Sequence, residues 1–267
     1  MNSLVNYFKA WGHIQYEQLK DSLNASKTLN LDANQQQYLS ELNTNGVVVL
    51  SDYYSNEKCE AIIQEINRLI ADDSINVWRD ENQSDNRVYG SHLYSDLIHD
   101  FYDDQLLAQI GEAYLKAPIM NSHTLGARLN FKPNNQGSGG GWHRDSVYKV
   151  QFKSIAYLTD VNKDNGPFEY LLGTHKKSSI FDSILHNNFT AHQNRMTEAQ
   201  IEQFLGKHPQ FKKQVFTAKK GTVILVDTSG IHRGMPIQSG ERYALTNYFF
   251  PKHHYSNSFK KKFEKLF

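Results

Sequence analysis

From residue 123 to about residue 250 the chain is a succession of short apolar and β-branched runs, each closed by Gly, Asn or Pro. HTLGARLNFK is followed by the loop NNQGSGGG, then by WHRDSVYKV, KSIAYLTDV, GPFEYLLG, KQVFTA, GTVILVD and RYALTNYFF. Runs of this length and punctuation predict strands that fold back on one another, the pattern of a sandwich or jelly roll. One stretch interrupts it. Residues 176–212 contain an expected short helix, opened by a capping box between Thr197 and Gln200 ahead of Ile201, Phe204 and Leu205.

Before residue 123 the texture is helical. Residues 1–45 carry Leu4, Phe8 and Trp11, then Tyr38, Leu39 and Leu42, at helical spacing. Asn45-Gly46 signals a turn into a buried strand at Val47–Leu50. A helix is predicted from Asn56 to Ala71, with Cys59, Ile62, Ile63, Ile66, Leu69 and Ile70 on one face. Residues 72–100 are polar and irregular, with Trp78, Arg79, Arg87, Tyr89 and His92 standing out, and 103–117 reads as a helix stopped by Pro118. The expected fold class is α+β. A helical extension (1–45) and a strand with helices (46–118) pack against a jelly-roll core (123–255) carrying the insertion, all in one domain.

Charge narrows the function classes. Twenty-nine basic side chains against 28 acidic ones remove the electrostatic reason to expect nucleic acid or an anionic membrane as partner. The single cysteine, Cys59, cannot close a disulfide within the chain, nor build a zinc site from two thiolates. Any metal must therefore be held by histidines and carboxylates. The opening MNSLVNYFKAWGH lacks the pattern of a secretory signal, and no apolar run approaches the roughly 20 residues that span a bilayer, so a cytoplasmic protein is expected. The terminal KKKFEKLF reads as a solvated tail.

The sharpest local signal is His143-Arg144-Asp145. In extended chain, residues two apart project to one face, so an imidazole and a carboxylate stand side by side. His232, just past the apolar strand Val223–Val226, qualifies as the third ligand. Two histidines and one carboxylate on one face leave three metal positions open, as in non-haem Fe(II) oxygenases. Arg242, ten residues further on, starts the strand RYALTNYFF; its guanidinium is suited to grip the far carboxylate of a dicarboxylic co-substrate.

With these residues in place the chain resembles the phytanoyl-CoA dioxygenase-like family of Fe(II)/2-oxoglutarate oxygenases over roughly residues 38–250. The likeness is carried jointly by GVVVLSDYYSNEKCEAII, RLNFKPNNQGSGGGWHRDS, YLTDVNKDNGPFEYLLGTHK and GTVILVDTSGIHRG with the downstream Arg. It implies a double-stranded β-helix (a cupin-like jelly roll), Fe(II) on His143, Asp145 and His232, and 2-oxoglutarate bound through Arg242. By likeness to ectoine hydroxylases, Arg128 and Asn130 are expected in the same cavity, Asn130 toward the co-substrate carboxylate. Gly234 stands where relatives often carry a small hydroxyl residue, so that contact is expected from elsewhere or not at all. Relatives that halogenate carry Ala or Gly at the carboxylate position, and an intact Asp145 favours hydroxylation.

The implied reaction uses O2 and 2-oxoglutarate to hydroxylate a small or carrier- or sugar-linked substrate, releasing succinate and CO2. Segments 78–92 and 176–212 are expected to supply a lid. Two other readings stay open from sequence: a jelly-roll binding module for carbohydrate, or a cupin-like enzyme using another metal without 2-oxoglutarate. His175 and the scattered lysines of 176–220 are expected to be structural and solvated respectively.

Overall fold

The computed structural model of the chain describes residues 3–26, 29–256 and 261. The tail read at KKKFEKLF falls outside them apart from Lys261. The first half supplies α1 (Ser3–Leu23), α2 (Ala33–Asn45), β1 (Val47–Leu50), α3 (Asn56–Ala71), β2 (Val77–Arg79) and β3 (Asp85–Tyr89). Then come α4 (Asp96–Tyr102), α5 (Gln105–Leu115), β4 (Ile119–Asn130), β5 (Phe152–Tyr157) and β6 (Phe168–Leu171). The chain continues through α6 (Lys177–Asn187), α7 (Glu198–Lys207), β7 (Lys213–Phe216), β8 (Val223–Asp227), β9 (His232–Gly234) and β10 (Glu241–Pro251).

The helices start where side chains can satisfy their free N–H groups. Ser55 accepts from Lys58 N–H to open α3, and Thr197 with Gln200 closes the expected capping box on α7. Helix α2 ends on Gly46 at φ 82°, where a Cβ would lie 2.4 Å from the Tyr170 hydroxyl, so only glycine lets the chain turn into β1 there.

The strands form two antiparallel sheets. The larger runs β1-β8-β5-β10-β4-β3-β2 and the smaller β7-β6-β9. Tyr157, Ile224 and Val226 of the first meet Phe168, Tyr170 and Phe216 of the second in the space between them. On the outer face of the large sheet, Ile62, Ile66 and Leu69 of α3, Phe101 of α4, and Leu107 and Ile110 of α5 bury Val48, Ala156, Leu225 and Leu245. Burying one such side chain is worth roughly 1.5–3 kcal/mol, so the helical layer is what holds the large sheet's outer face out of water. The alternation is clean along β10. Tyr243, Leu245 and Phe249 pack under the helices, whereas Arg242, Ala244, Thr246 and Tyr248 line the cavity between the sheets.

The sequence expectation differs from the structure in two places. Residues 72–100 are not irregular: they hold β2, β3 and α4 at the edge of the large sheet. The polar β3 sequence hid the strand because two of its polar side chains, Asp85 and Arg87, are a buried ion pair 2.5 Å apart. The segment WHRDSVYKV is not a strand; it makes isolated bridges at His143 only, one of them to His232. Among the described residues, no helix is long and apolar enough to cross a membrane.

Candidate active site

His143 and His232 are joined by two reciprocal backbone hydrogen bonds of 2.9 Å each, and Asp145 N–H donates to the Thr228 carbonyl at 2.9 Å. A single bridge therefore suffices where a strand was expected. It sets the two histidines opposite each other and hangs Asp145 from the turn that leads into β9. The nitrogen and oxygen atoms these three residues offer all lie within 4.8 Å of one another. Nε2 of His143 is 3.6 Å from Asp145 Oδ1, and Nε2 of His232 is 3.9 Å from Asp145 Oδ2.

The backbone also fixes which nitrogen faces inward. Nδ1 of His143 lies 2.8 Å from the Gly141 carbonyl, and Nδ1 of His232 lies 2.9 Å from the Gly230 carbonyl. A carbonyl only accepts, so in each neutral imidazole Nδ1 carries the hydrogen and Nε2 presents its lone pair to the shared space. Gly139 lies against the His143 ring, at φ 88°, and a Cβ there would sit 2.6 Å from Cε1. The glycine-rich loop is thus required by contact as well as by turning.

Arg144, between His143 and Asp145, points away from them. Nη1 donates to the Thr174 and Ser229 carbonyls at 2.6 Å each, and Nη2 to Ser179 Oγ at 3.0 Å. Thr174 Oγ1 in turn accepts from Ile231 N–H at 2.8 Å. The Gly-Thr-His motif therefore ties the His143 segment to the His232 segment. His175 is structural, as expected, with Nε2 at 3.3 Å from the Asn43 carbonyl at the end of α2.

Protonation suits a cation. Burial pushes His143 down, and burial followed by the neighbouring His143 pushes His232 down to about 3. Burial works to raise Asp145, but Lys153, His232 and His143 outweigh it and hold the carboxyl well below the usual range. Two neutral imidazoles and an ionised carboxylate are the ligand forms a divalent metal needs. Sequence reasoning missed Lys153, whose Nζ lies 2.5 Å from Asp145 Oδ2 and 4.2 Å from the centre of the Tyr248 ring. Its polar head in the otherwise apolar run of β5 was the available signal. Lys153→Met should leave Asp145 as an uncompensated carboxylate and lower metal-free stability. The cost is bounded by the roughly 3–5 kcal/mol of a broken buried pair. Thermal melts with and without Fe(II) check it: added metal should stabilise the variant more than the parent, and equal shifts would sink the idea.

Acid should destabilise the metal-free protein for a related reason. Burial pushes His92 down to about 4 and His123 to about 3, in addition to His232. These groups stay neutral when folded but take up protons near the ordinary value of 6.5 when unfolded. The unfolded state therefore binds more protons below that value. Their contribution is complete above it and is lost as pH falls toward 4 and then 3. Melting temperature measured from pH 7 to pH 4 should fall steadily; a flat profile would mean these histidines are protonated in the folded chain.

The triad opens into a cavity between the sheets of about 760 Å³, mouth included. Arg242 lines it as expected, with Tyr157, Phe168 and Ile155 around it. The guanidinium is buried, donates from Nη1 to the Gly166 carbonyl, and leaves Nε without a hydrogen-bond partner. Arg87 of β3 enters the same cavity, held by Asp85 and donating to Ser138 Oγ at 3.1 Å. Ser138 occupies the space above Gly234, where a Cβ would lie 2.8 Å from that of Ser138. Ser138 of the glycine-rich loop thus packs where a side chain at residue 234 would lie, and its hydroxyl accepts from Arg87.

Arg128 and Asn130 are not brought to this cavity, contrary to expectation. Directly paired residues of neighbouring strands point to the same face. Arg242 pairs with Leu129 and Ala244 with Ala127, so the odd-numbered residues of β4 face inward. Arg128 instead donates from Nη1 to Asn67 Oδ1 of α3 at 3.1 Å, and the Asn130 carbonyl accepts from Ser84 Oγ at 2.6 Å. Of the two expected lid segments, 78–92 contributes Arg87 and none of 176–212 lines the cavity. The insertion braces the site from behind: Arg195 Nη1 donates to the Gly139 and Gly140 carbonyls at 3.0 Å each.

A jelly roll with two histidines and a carboxylate converging between its sheets presents the donor set of a mononuclear centre of the two-His-one-carboxylate class. The family is found at the same place: residues 42–244 match the phytanoyl-CoA dioxygenase (PhyH) family, and the chain belongs to it. Ectoine dioxygenase of Bordetella parapertussis is 25% identical over 147 residues, 49% of this chain and 46% of that protein. The chain thus spans about half the length of the curated relatives it matches. The iron-bound structure of EctD from S. alaskensis superposes with a TM-score of 0.61 at 17% identity, covering 85% of this chain and 80% of that one. HygX from Streptomyces hygroscopicus, with nickel and 2-oxoglutarate bound, gives 0.60 at 16% identity over 84% and 88%. The epimerase SnoN from nogalamycin biosynthesis, in complex with Fe3+ and alpha ketoglutarate, gives 0.62 at 14% over 82% and 84%.

Proposed function

We propose that this chain is an Fe(II)- and 2-oxoglutarate-dependent oxygenase that hydroxylates a small molecule. The observation that carries the reading is the cavity itself: a preorganised His143–Asp145–His232 set at one place and a buried guanidinium lacking an acidic partner, Arg242, at another. The donor set fits iron(II), because each imidazole is already locked in the tautomer that ligates through Nε2. The orphaned Arg242 Nε fits a carboxylate.

When bound, iron(II) with 2-oxoglutarate supplies the oxidising chemistry, in which O2 is consumed, succinate and CO2 form, and an oxygen atom reaches a substrate carbon. The chain's own residues do the rest. His143, His232 and Asp145 hold the metal, and Lys153 neutralises the carboxylate oxygen turned toward it. Arg242 receives the far carboxylate of the co-substrate. Tyr157, Phe168 and Ile155 keep that end of the cavity dry, which strengthens the pairing. No side chain is required as a general base. An intact Asp145 occupies the position a halide would need, which favours hydroxylation.

A small-molecule substrate is supported by the relatives' names, which concern ectoine, hygromycin B and nogalamycin. Arg87 and Ser138 at the cavity wall offer it polar contacts. The test is an anaerobic titration of the metal-free protein with Fe(II) and then 2-oxoglutarate, watched for the visible charge-transfer band of the chelate. A band that requires both additions supports the reading. Bound iron without a band removes 2-oxoglutarate from it.

A further inference from the structure

A second cluster of metal-ligating side chains lies away from the cavity, where the two ends of the described chain meet. Glu17 and Asp21 stand one turn apart on α1, so their carboxylates project from one helical face. They face His253 and His254 in the turn Lys252–His254 that follows β10. His253 Nε2 lies 2.9 Å from Asp21 Oδ1, and His254 Nε2 lies 3.2 Å from that same oxygen and 3.3 Å from Glu17 Oε2. The His254 side chain is 5% exposed and that of Glu17 12%. His254 Nε2 and Glu17 Oε2 are both buried, and the ion-pair contacts just given are those they make.

Asp21, His253 and His254 offer ligand atoms that all lie within 4.8 Å of one another, and Glu17 adds a carboxylate beside His254. Ligands at roughly 2.0–2.1 Å around a zinc ion are separated from one another by about 3.3 Å, close to the 2.9 and 3.2 Å that separate Asp21 Oδ1 from the two imidazole nitrogens. Two imidazoles beside a carboxylate also select a borderline metal over magnesium or calcium, which take oxygen ligands. We propose that Asp21, His253 and His254 form a second metal site, a three-ligand site for zinc(II) with a structural role and Glu17 beside it.

The ion would fasten α1 to the end of β10. Helix α1 buries Ala10 and Ile14 against Ile180 and Ile184 of α6. Its His13 also stacks at 4.8 Å on Tyr148, three residues beyond Asp145. The zinc site thus secures the helix that backs the segment leaving the candidate active site, and it shares no ligand with the triad.

The test is a zinc count on the untagged full-length chain, stripped with chelator, titrated with zinc(II) alone and read against a competing chromophoric chelator. His254→Gln and Asp21→Asn should each lower the number of tightly bound zinc ions by one relative to the parent. The same decrement should appear in a His232→Ala background, which leaves the new site untouched. Unchanged counts in both variants would overturn the proposal, as would an empty His232→Ala protein, and the latter result needs no alteration at the cluster and so survives a folding failure of either variant. A parent that binds zinc here but shows no chelate band would sink the oxygenase reading and leave this site standing.

Discussion

Replacing His143 with alanine is expected to remove tight iron binding and 2-oxoglutarate turnover together, while the chain still folds. The geometry leaves no substitute ligand. His232 is held by its own bridge and by the Gly230 carbonyl, and Asp145 is held by Thr228 and Lys153, so neither can move to fill the gap. Among the other polar side chains lining the cavity, Ser138 and Thr228 are neutral hydroxyls and Lys153 is a cation. Loss of a group that merely orients a ligand costs roughly 10- to 100-fold in metal affinity. Loss of the ligand itself should exceed that. Folding should survive because the two backbone bonds between residues 143 and 232 do not involve the side chain. Iron affinity by calorimetry under anaerobic conditions, with succinate release beside it, checks the expectation. A variant that binds iron as the parent does would remove His143 from the metal site.

How much of this was readable in the sequence depends on whether a feature is local or set by register. Helix α3 was legible because its apolar face, Cys59 to Ile70, repeats at helical period. The triad was legible because His143 and Asp145 are neighbours in sequence and His232 follows a buried strand. Their protonation and tautomers were not, since these are set by carbonyls and by Lys153 folded against them. Arg128 and Asn130 show the limit most clearly. Their spacing correctly places them on one face of β4, but which face looks inward is decided by pairing with β10, and a strand's own sequence does not contain its partner's register. Arg87 is the converse case. It stood out as a polar residue in an irregular stretch, and only the pairing of Arg87 with Ala127 turns it into the cavity.

Arg242→Met offers the most discriminating result, because it should move stability and co-substrate binding in opposite directions. The Arg242 guanidinium is buried, and burial lowers its pKa against the opposing pull of Tyr157 and Asp85. Asp85, the nearby carboxylate, is already claimed by Arg87 at 2.5 Å. Without co-substrate, then, the protein holds a buried cation whose charge is not matched, and a well-packed apolar side chain of similar length should leave it at least as stable. With 2-oxoglutarate the sign reverses. Removing one partner of a buried, hydrogen-bonded charge pair costs about 2–5 kcal/mol, so half-saturation should rise by roughly 30-fold to a few thousand-fold. Arg242→Lys should fall between, keeping the charge but losing the two parallel bonds. Denaturant melts of the metal-free proteins and 2-oxoglutarate titrations of the iron-loaded ones supply both readings. A methionine variant that is less stable yet binds 2-oxoglutarate normally would make Arg242 a brace for the Gly166 turn, and the carboxylate would then have to be sought at Arg87.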